Sequence, residues 1–449
     1  MNKKEIIENI LTRGVAQIVD KEVLRKKLEK NPKKVIIKYG VDPTRPDLHL
    51  GHAVCLRKLR QFQQLGCKVI FLVGDLTAQI GDPSGKSKVR PETQQEAINK
   101  NMKTYLEQVG RLLIINDKEV FSWITNSDWF LSPTDVQANE PGDLVINGVV
   151  IKDVPPTDFI AKAVIWRNTR MQKERISNTS FVNFLATLRH ITHSQLIERD
   201  MFKKRIKNEE ALFMHEMIYP VIQGLDSQHI ANIYGSCDLE LGGTDQHFNM
   251  LMGRDVMVIQ KTAPQAVLSV PIIEGLDGKE KMSKSLDNYI GVTESPNEMF
   301  GKIMSIPDNL MLKYFELLTD EDLKEVQKLI KSDPRNAKVH LAKHIVTWLH
   351  SAKDADMAEQ DFITKFVKKE TPDEMPEFEV GKKEIGILDL IVDITKFAPS
   401  KSEARRLVEQ GGVSFGGEIL KDPNALIQIK DGKVLKVGKR KFAKIRRKK

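Results

Sequence analysis

The chain has 449 residues, 41% hydrophobic and 29% charged, a composition typical of a globular protein with about two to four domains. No apolar run approaches the ~20 residues of a membrane-spanning helix, and the first residues lack the apolar segment of a secretory signal. The three cysteines, Cys55, Cys67 and Cys237, are too few for a disulfide framework and favour a reducing compartment. We therefore expect a soluble, cytoplasmic protein without a membrane partner.

The net charge of +9 is concentrated at one end of the chain. Residues 433–449 contain ten Lys or Arg and no acidic residue, whereas the remaining residues carry a charge near −1. Such a block favours RNA contact, because neutralising phosphates releases counterions, and a solubilising tail is the plainer alternative. Apolar residues within the block favour partial order.

A nucleotide-binding type of unit is predicted in the first part of the chain. Residues 34–39 have the pattern of a strand, 51–65 that of an amphipathic helix, and 68–73 that of a buried strand. In such a unit the helix N-terminus faces the ligand, where its free N–H groups and dipole favour phosphate. We expect an α/β fold with a Rossmann-like parallel sheet.

Further helices are predicted along the middle of the chain, over residues 92–113, 158–176 and 181–206. Between the first two, Asn147-Gly148 separates two apolar runs, a strong signal for a two-residue β-hairpin turn.

The last third of the chain begins with a helical pattern over residues 294–368. The acidic segment 370–381 contains two prolines and is typical of a linker. A small module follows, in which Ser400 and Glu403 form a predicted capping box and Gly411 ends the helix. Short strands are predicted at residues 413–415 and 433–437.

Two short motifs about 230 residues apart are the most informative feature of the sequence. His49-Leu-Gly-His52 stands at the start of a predicted helix, and Lys281-Met-Ser-Lys-Ser285 follows two glycines that let its loop move. Imidazoles and ammonium groups both suit a nucleotide triphosphate. Half of a zinc site and an ordinary surface pair are the alternatives for the histidines, although no second ligand cluster is evident.

The segment Gly81-Asp-Pro-Ser-Gly-Lys-Ser87 invites comparison with a phosphate-binding loop. That loop requires a glycine at position 80, where this chain has isoleucine, so the comparison fails. Asp82 is then either a turn residue or a ligand for a cationic group.

Two polar patterns lie between the motifs. Tyr219, Gln223 and Asp226 recur at four and three residues, and so share one face of a helix. Leu241-Gly-Gly-Thr-Asp-Gln246 offers glycines that permit close backbone approach to a ligand. A surface helix and a strand-to-helix turn are the plainer explanations of these two patterns.

Five motifs in this order resemble those of bacterial-type tyrosyl-tRNA synthetases, which are class I aminoacyl-tRNA synthetases. The resemblance covers most of residues 34–300, and the final module is similar to the ribosomal-protein-S-four type of RNA-binding domain. It implies a tyrosine–tRNA ligase, which forms tyrosyl-adenylate and pyrophosphate from L-tyrosine and ATP and then charges tRNA(Tyr). Mg²⁺ would accompany ATP, no structural metal or DNA partner is expected, and a homodimer is implied.

The resemblance also implies a role for each motif residue. The implied catalytic groups are two imidazoles and four cations: His49, His52, Lys86, Arg90, Lys281 and Lys284. The residues implied to bind ATP are Asp42, Thr44, His49, Gly51, His52, Asp245, Lys281, Met282, Ser283 and Lys284. The residues implied to bind tyrosine, with Asp226 accepting from its phenol, are Tyr39, Gly40, Asp82, Tyr219, Gln223, Asp226 and Gln246.

The chain departs from the family pattern at two places. Many bacterial members have Tyr-Cys-Gly where this chain has Lys38-Tyr39-Gly40, so Tyr39 should face the opposite side of its strand. The segments 137–180 and 230–237 are longer than expected.

The implied domain partition has four parts. A catalytic domain over 1–275, with a connecting insertion at about 115–235, precedes a motif loop and α-helical tRNA-binding domain over 276–369, a linker over 370–381 and an RNA-binding module over 382–449. A tryptophanyl enzyme of the same fold and a non-catalytic RNA-binding relative are the alternatives.

Overall fold

The computed structural model describes residues 2–44, 47–84, 95–130, 136–137, 144–146, 149–151, 179, 181–364, 375–429, 432–438 and 441–447. The chain divides into two compact units, Met1–Asp356 and Met357–Lys449. The predicted helix over 158–176, and the predicted catalytic residues Lys86 and Arg90, lie outside the described residues. No helix among the described residues is long and apolar enough to cross a membrane.

Helices and strands alternate through the first half of the chain. The helices up to residue 364 are α1 (Lys3–Thr12), α2 (Lys21–Lys30), α3 (Leu50–Gln64), α4 (Thr77–Ile80), α5 (Gln95–Gly110), α6 (Ser127–Phe130), α7 (Phe181–Leu188), α8 (His193–Ile197), α9 (Asp200–Lys207), α10 (Met214–Tyr234), α11 (His247–Ile259), α12 (Pro296–Ser305), α13 (Met311–Leu318), α14 (Leu323–Ser332), α15 (Pro334–Leu349) and α16 (Ala352–Phe362). The strands up to residue 270 are β1 (Gln17–Val19), β2 (Ile36–Val41), β3 (Lys68–Val73), β4 (Phe121–Thr125), β5 (Val136–Gln137), β6 (Leu144–Ile146), β7 (Val149–Ile151), β8 (Leu239–Gly243) and β9 (Ala266–Val270).

The first unit is built around a six-stranded sheet in the order β1-β9-β8-β2-β3-β4. All neighbouring strands are parallel except β1, which pairs antiparallel with β9 at the edge. From β2 the chain proceeds through β3 and β4 to one side, whereas β8 and β9 lie on the other, so the order reverses between β2 and β8. The predicted Rossmann-like parallel sheet is confirmed.

Most of the predicted elements in this unit are confirmed. The amphipathic helix is α3, after which Gly66 adopts a φ of 97° that only glycine adopts easily. The hairpin around Asn147-Gly148 is present, because Ile146 pairs with Val149 across the two turn positions, which themselves lie outside the described residues.

The prediction of one continuous helix over 181–206 is wrong. Three shorter helices, α7, α8 and α9, occupy this segment. The break follows from local polar groups, since the Thr192 hydroxyl accepts from the Gln195 backbone N–H at 3.2 Å and caps a new helix. Arg199 has extended backbone and starts the third helix.

The second unit is a small α+β module with its own apolar core. Its strands are β10 (Glu377–Val380), β11 (Glu384–Gly386), β12 (Val413–Phe415), β13 (Glu418–Leu420), β14 (Leu426–Gln428), β15 (Lys433–Val437) and β16 (Lys441–Arg447), and its helices are α17 (Ile387–Asp389), continued by a π-helical turn over Leu390–Ile394, and α18 (Lys401–Glu409). Five strands form a sheet in the order β10-β16-β15-β12-β13. The prediction that the basic C-terminal block is partly ordered is confirmed, because its residues form β15 and β16.

Part of the predicted linker 370–381 is instead strand β10, which pairs parallel with β16. Its acidic residues match the basic strand, because the Glu377 carboxylate lies 2.9 Å from Arg446 Nη2 and 3.5 Å from Lys444 Nζ. Half of the predicted capping box is present, since the Glu403 N–H donates to the Ser400 hydroxyl at 3.3 Å.

Candidate active site

A cavity of about 340 Å³ opens at the carboxyl ends of β2 and β8, where the order of the sheet reverses. Open α/β sheets bind their ligands at this point, and the volume is that of a small-molecule site. Every predicted site residue within the described part of the chain lines this one cavity. The sequence motifs, although spread over 246 positions from Tyr39 to Lys284, therefore converge.

His49 and His52 form the N-terminal cap of α3. The Gly51 N–H donates to His49 Nδ1 at 3.1 Å, and the His49 N–H donates to His52 Nδ1 at 3.3 Å. Burial lowers the pKa of both imidazoles, and the nearby charges of Lys284 and Lys281 act in the same direction; together they lower the pKa of His52 to about 4. Both rings are therefore neutral at pH 7, and because each Nδ1 accepts, each proton sits on Nε2, ready to donate.

Glycine is required at two positions around this cap. A Cβ on Gly51 would lie 2.8 Å from His49 Cε1, so any side chain there would displace the capping imidazole. A Cβ on Gly74, after β3, would overlap both Asp42 Oδ1 and Thr77 Oγ1. Gly74 was not singled out from the sequence, yet it gives Asp42 its place beside the cavity.

The two predicted lysines of the motif loop both face carboxylates. Lys281 Nζ lies 3.2 Å from Asp245 Oδ2, and Lys284 Nζ lies 3.0 Å from Asp47 Oδ2. Met282 between them is buried, and its N–H donates to the Ile273 carbonyl at 3.0 Å. The loop thus holds two ammonium groups at the cavity while its central residue anchors it.

Asp226 lies at the closed end of the cavity, with 2% of its surface exposed. Burial raises the pKa of its carboxyl to about 7, opposed by the charge of Lys38 and by hydrogen bonds from Trp129 and Asn126. The indole N–H of Trp129 donates to Asp226 Oδ1 at 3.0 Å. The predicted phenol acceptor is thus deeply buried and held by neutral donors.

A chain of polar side chains connects the other predicted tyrosine-binding residues. Asp82 accepts from Ser84 N–H at 2.9 Å and from Gln246 Nε2 at 2.6 Å. The Asn249 amide donates to the side-chain oxygens of Gln246 and Gln223, each at 3.1 Å. Because each member is fixed by its neighbours, these polar groups are pre-positioned along one wall.

Tyr39 lines the cavity, but its hydroxyl is directed elsewhere. It hydrogen-bonds with the buried Cys55 thiol, and burial raises the pKa of Tyr39 well above its ordinary value. Its ring packs 5.9 Å from that of Phe71. No hydrogen bond between Tyr39 and Asp226 is present in the part of the chain that the structure describes, and the role of Tyr39 in tyrosine binding stays a prediction.

Sequence reasoning missed four further residues around the site: Lys38, Trp129, Arg199 and Glu240. The Arg199 guanidinium is buried between Phe202 and Phe248, hydrogen-bonds to Ser84 and lies 3.9 Å from Asp82. Among the described residues its Nη1 has no hydrogen-bond partner. The only signal for Arg199 in the sequence was a basic residue within a predicted helix, and such residues are ordinarily solvated.

The described residues contain no group of three or more His, Cys, Asp or Glu arranged to hold a metal ion. The Nδ1 atoms of His49 and His52 already accept from backbone N–H groups, which leaves the zinc interpretation without support.

Comparison with known proteins identifies the family. Residues 30–367 match the family model of class I tRNA synthetases of the tryptophan and tyrosine type, and residues 367–446 match the tyrosine–tRNA ligase SYY-like C-terminal domain. The tyrosine–tRNA ligase of Francisella tularensis is 40% identical over 98% of both chains. That of Haemophilus ducreyi is 42% identical over 97% of this chain and 96% of its own.

Solved structures share the fold at lower identity. A truncated mitochondrial tyrosyl-tRNA synthetase of Aspergillus nidulans has a TM-score of 0.58 at 20% identity and covers 80% of this chain and 94% of its own. A tryptophanyl-tRNA synthetase of Plasmodium falciparum has a TM-score of 0.52 at 15% identity over 80% of this chain and 89% of its own. The fold alone is thus shared by tyrosyl and tryptophanyl enzymes. The match of the C-terminal domain and the full-length relatives favour the tyrosyl enzyme over the tryptophanyl alternative. The chain belongs to the tyrosine–tRNA ligase family of class I aminoacyl-tRNA synthetases.

Proposed function

We propose that this cavity joins L-tyrosine to ATP, giving tyrosyl-adenylate and pyrophosphate, and then transfers the tyrosyl group to the 3′ end of tRNA(Tyr). The observation that carries this proposal is the two-part cavity. A buried carboxylate, Asp226, closes one end, and two imidazole donors and two ammonium groups line the other. The first end suits a phenol, and the second suits a triphosphate.

The tyrosine end orients the substrate by its two polar termini. Asp226 Oδ2 accepts the phenol while Oδ1 accepts from Trp129. Asp82, Tyr219 and Gln223 surround the substrate ammonium, Gln246 lies beside them, and Gly40 leaves room at the end of β2. A carboxylate has about four acceptor positions, so Asp82 can take the ammonium in addition to its present donors.

The ATP end supplies close backbone and positive charge. The adenine lies against Gly51, the ribose hydroxyls face Asp245, and Asp42 and Thr44 border the phosphates. His49 and His52 donate from Nε2, and Lys281 and Lys284 exchange their present carboxylate partners for the β- and γ-phosphates. Lys86 and Arg90 complete the charge by family resemblance.

The chemical step needs positioning more than proton transfer. The tyrosine carboxylate, already ionised, attacks the α-phosphorus, and pyrophosphate leaves with the bonding electron pair. Neutral imidazoles and the loop lysines stabilise charge that develops on the transferring and leaving oxygens. In the second step a terminal ribose hydroxyl of tRNA attacks the tyrosyl carbonyl and releases AMP.

Mg²⁺ enters with ATP as part of the substrate. Magnesium in such sites is held mainly by phosphate oxygens and water, with one or two carboxylates. Asp47, which lies 3.0 Å from Lys284 Nζ, is a carboxylate already at the phosphate end and fits this arrangement.

The second unit is proposed to hold tRNA. Strands β15 and β16 carry six cations, and Lys433 and Lys441 are among the exposed ones. Changing both to Gln should weaken tRNA charging and its salt dependence without altering adenylate formation, which takes place in the first unit. Unchanged charging would remove this module from the proposal. The partition into residues 1–275, 276–369 and 382–449 remains part of the same proposal.

A homodimer in the cytoplasm is proposed from the family and from one exposed surface. Helix α7 presents Phe181, Val182 and Leu185 on one face, exposed by 73%, 72% and 48%. Apolar side chains grouped in this way mark interaction sites. Light scattering should give the mass of two chains, and Leu185→Lys should lower it; an unchanged dimer would exclude this face.

Pyrophosphate exchange with each amino acid in turn tests the proposed function. ATP should acquire label only with tyrosine. Exchange with tryptophan in place of tyrosine would overturn the specificity. Folded protein that exchanges with none would support the non-catalytic RNA-binding alternative.

A further inference from the structure

Two opposite charges are buried together beneath the tyrosine end of the cavity. Lys38 on β2 and Glu240 on β8 are register partners in neighbouring parallel strands, and their side chains are 0% and 2% exposed. Lys38 Nζ lies 2.9 Å from Glu240 Oε1. Burying such a pair costs several kcal/mol of desolvation per ion, so packing alone does not account for it.

The Lys38 ammonium has no donor left for a substrate. Its three N–H bonds are directed to Glu240 Oε1, to the Gln223 carbonyl at 2.7 Å and to Ser227 Oγ at 2.9 Å. Two of these partners lie on α10, the helix that carries Asp226. Lys38 therefore acts on the substrate only through other groups.

Glu240 holds the same helix from the other side. Its Oε1 accepts from Gln223 Nε2 at 3.0 Å, and its Oε2 accepts from Ser227 Oγ at 3.3 Å and from Gln265 Nε2. Lys38 thus hydrogen-bonds to the backbone carbonyl of Gln223, and Glu240 hydrogen-bonds to its side-chain amide. Gln223 is a proposed tyrosine-binding residue. Asp226 follows Gln223 by three positions, on the same face of α10.

The charges of the pair also act on Asp226 in opposite directions. Lys38 lowers the pKa of the Asp226 carboxyl and Glu240 raises it, against the larger raising effect of burial. Trp129 and Asn126 contribute neutral hydrogen bonds, and His229, which stacks on Trp129, is uncharged because burial lowers its pKa to about 3. Within the described part of the chain, Lys38 and Glu240 are thus charged groups that act on the pKa of the Asp226 carboxyl, in opposite directions.

We propose that the Lys38–Glu240 pair is a positioning element for Asp226. It holds α10 through Gln223 and Ser227, and Lys38 favours while Glu240 disfavours the state of Asp226 that accepts from the substrate phenol, so the preference for tyrosine over phenylalanine depends on this pair. The inference rests on the proposed function, in which Asp226 accepts from the phenol. An ionised Asp226 accepts a hydrogen bond from the phenol hydroxyl, whereas a protonated carboxyl offers a competing donor. Phenylalanine has no hydroxyl to donate, so it gains nothing from the ionised state of Asp226.

The test follows the KM for tyrosine in pyrophosphate exchange between about pH 6 and 8.5, in wild type, Lys38→Met and Glu240→Gln. In wild type this KM should rise as the pH falls through the Asp226 titration. Lys38→Met should move the rise to higher pH, and Glu240→Gln to lower pH, each by about one unit. The KM for phenylalanine should not rise as the pH falls, and the KM for ATP should keep its wild-type pH dependence.

Opposite shifts separate electrostatics from damage to the fold. Loss of packing would impair both variants in the same direction and would raise the KM for phenylalanine too. Lys38→Met leaves a buried carboxylate without its cation and can fail to fold. Glu240→Gln keeps the amide and carbonyl hydrogen bonds of Gln223 in reach, and its predicted shift to lower pH tests the proposal by itself. Unshifted profiles, or shifts of the same sign, would overturn it.

Asp226→Asn distinguishes this inference from the function beneath it. If Asp226→Asn keeps the wild-type preference for tyrosine, the phenol contact in the proposed function is wrong. If Asp226→Asn loses the preference while Glu240→Gln leaves the profile unchanged, only the role of the ion pair is wrong.

Discussion

The hydroxyl of Tyr219 donates to Asp42 Oδ2 across 2.8 Å and joins the two ends of the cavity. Tyr219 belongs to α10, which carries three of the proposed tyrosine-binding residues, and Asp42 belongs to the loop that leads to His49. Asp42 Oδ1 accepts in turn from Thr77 Oγ1 at 2.7 Å. The position of the amino acid and that of the nucleotide are therefore coupled through one carboxylate.

Tyr219→Phe should lower kcat/KM for tyrosine activation about tenfold, because a hydrogen bond to a charged group contributes about 1.5–3 kcal/mol and water replaces part of it. Steady-state pyrophosphate exchange measures the change. Tyr314→Phe is the matched control, since its hydroxyl donates to the Glu274 carbonyl at 2.8 Å away from the cavity lining. Equal losses in the two variants would show that Tyr219 has no special role.

Asp226→Asn should stabilise the protein above neutral pH while it removes the phenol acceptor. The Asp226 pKa of about 7 is raised from 3.8, so between these values the unfolded chain binds fewer protons and stability falls as the pH rises. Ionising the buried Asp226 lowers the free energy of unfolding by up to about 4 kcal/mol, and this loss is complete above pH 7. The asparagine variant has no ionisable group at this position and does not lose this stability.

Tryptophan fluorescence during thermal unfolding measures this effect, because all four tryptophans lie in the first unit. The gain in midpoint of the variant over wild type should be small at pH 5 and larger at pH 8. A gain that is the same at both pH values would mean that the carboxyl is not titrating as described.

His49→Asn should keep the helix cap and lose catalysis. Asparagine is among the best N-cap residues, so stability should change by only a few tenths of a kcal/mol, whereas His49→Ala should lose about 1 kcal/mol. Both variants lack the imidazole Nε2–H, and kcat should fall about 10²–10³-fold in each, as it does when a single oxyanion donor is removed elsewhere.

The pH dependence of kcat in the same variants tests the charge state of His49 and His52. Since the pKa of His52 is lowered to about 4 and that of His49 is lowered as well, neither should appear as a titration of kcat near pH 6.5. A histidine-like inflection that disappears in His49→Asn would contradict neutral donors.

Gly74→Ala should abolish tyrosine activation, because its Cβ would overlap Asp42 and Thr77 and push the Asp42 carboxylate away from Tyr219. Gly301→Ala is the control, since a Cβ there meets no atom within 4 Å and replaces a helical glycine. That change should raise stability by about 0.5–1 kcal/mol and leave exchange unaltered. Activity retained in soluble Gly74→Ala would show that Asp42 can move without loss.

The fold could be predicted from local sequence patterns where burial of apolar residues alone determines the element. Residues 69–73 are apolar without alternation, which is typical of a strand covered on both faces, and the predicted strand 68–73 has the bounds of β3. The prediction of one continuous helix over 181–206 was wrong because the apolar spacing there is helical throughout, whereas the break between the helices depends on the hydroxyl cap at Thr192. Strand β10 was missed because its acidic residues acquire their meaning only beside the basic strand β16.

Some residues of the candidate site could likewise be predicted from local sequence and others could not. Residues in contiguous motifs, such as His49 and Lys281, could be found because their neighbours in sequence are also their neighbours in space. Trp129 and Asp226 meet across 97 positions, and Lys38 meets Glu240 in another strand. A lysine in a strand ordinarily indicates an exposed face, and only the sheet order reveals that this one is buried.

The ratio of kcat/KM for tyrosine to that for phenylalanine, measured in wild type and Asp226→Asn, tests the central claim most directly. Sites built for a buried hydroxyl reach about 10⁵-fold, a figure measured on a tyrosyl-tRNA synthetase itself. The wild-type ratio should be of that order, and Asp226→Asn should lower it by at least about a hundredfold, through loss with tyrosine and little change with phenylalanine. A ratio that is preserved in the folded variant would contradict the assignment of Asp226 as the residue that recognises tyrosine.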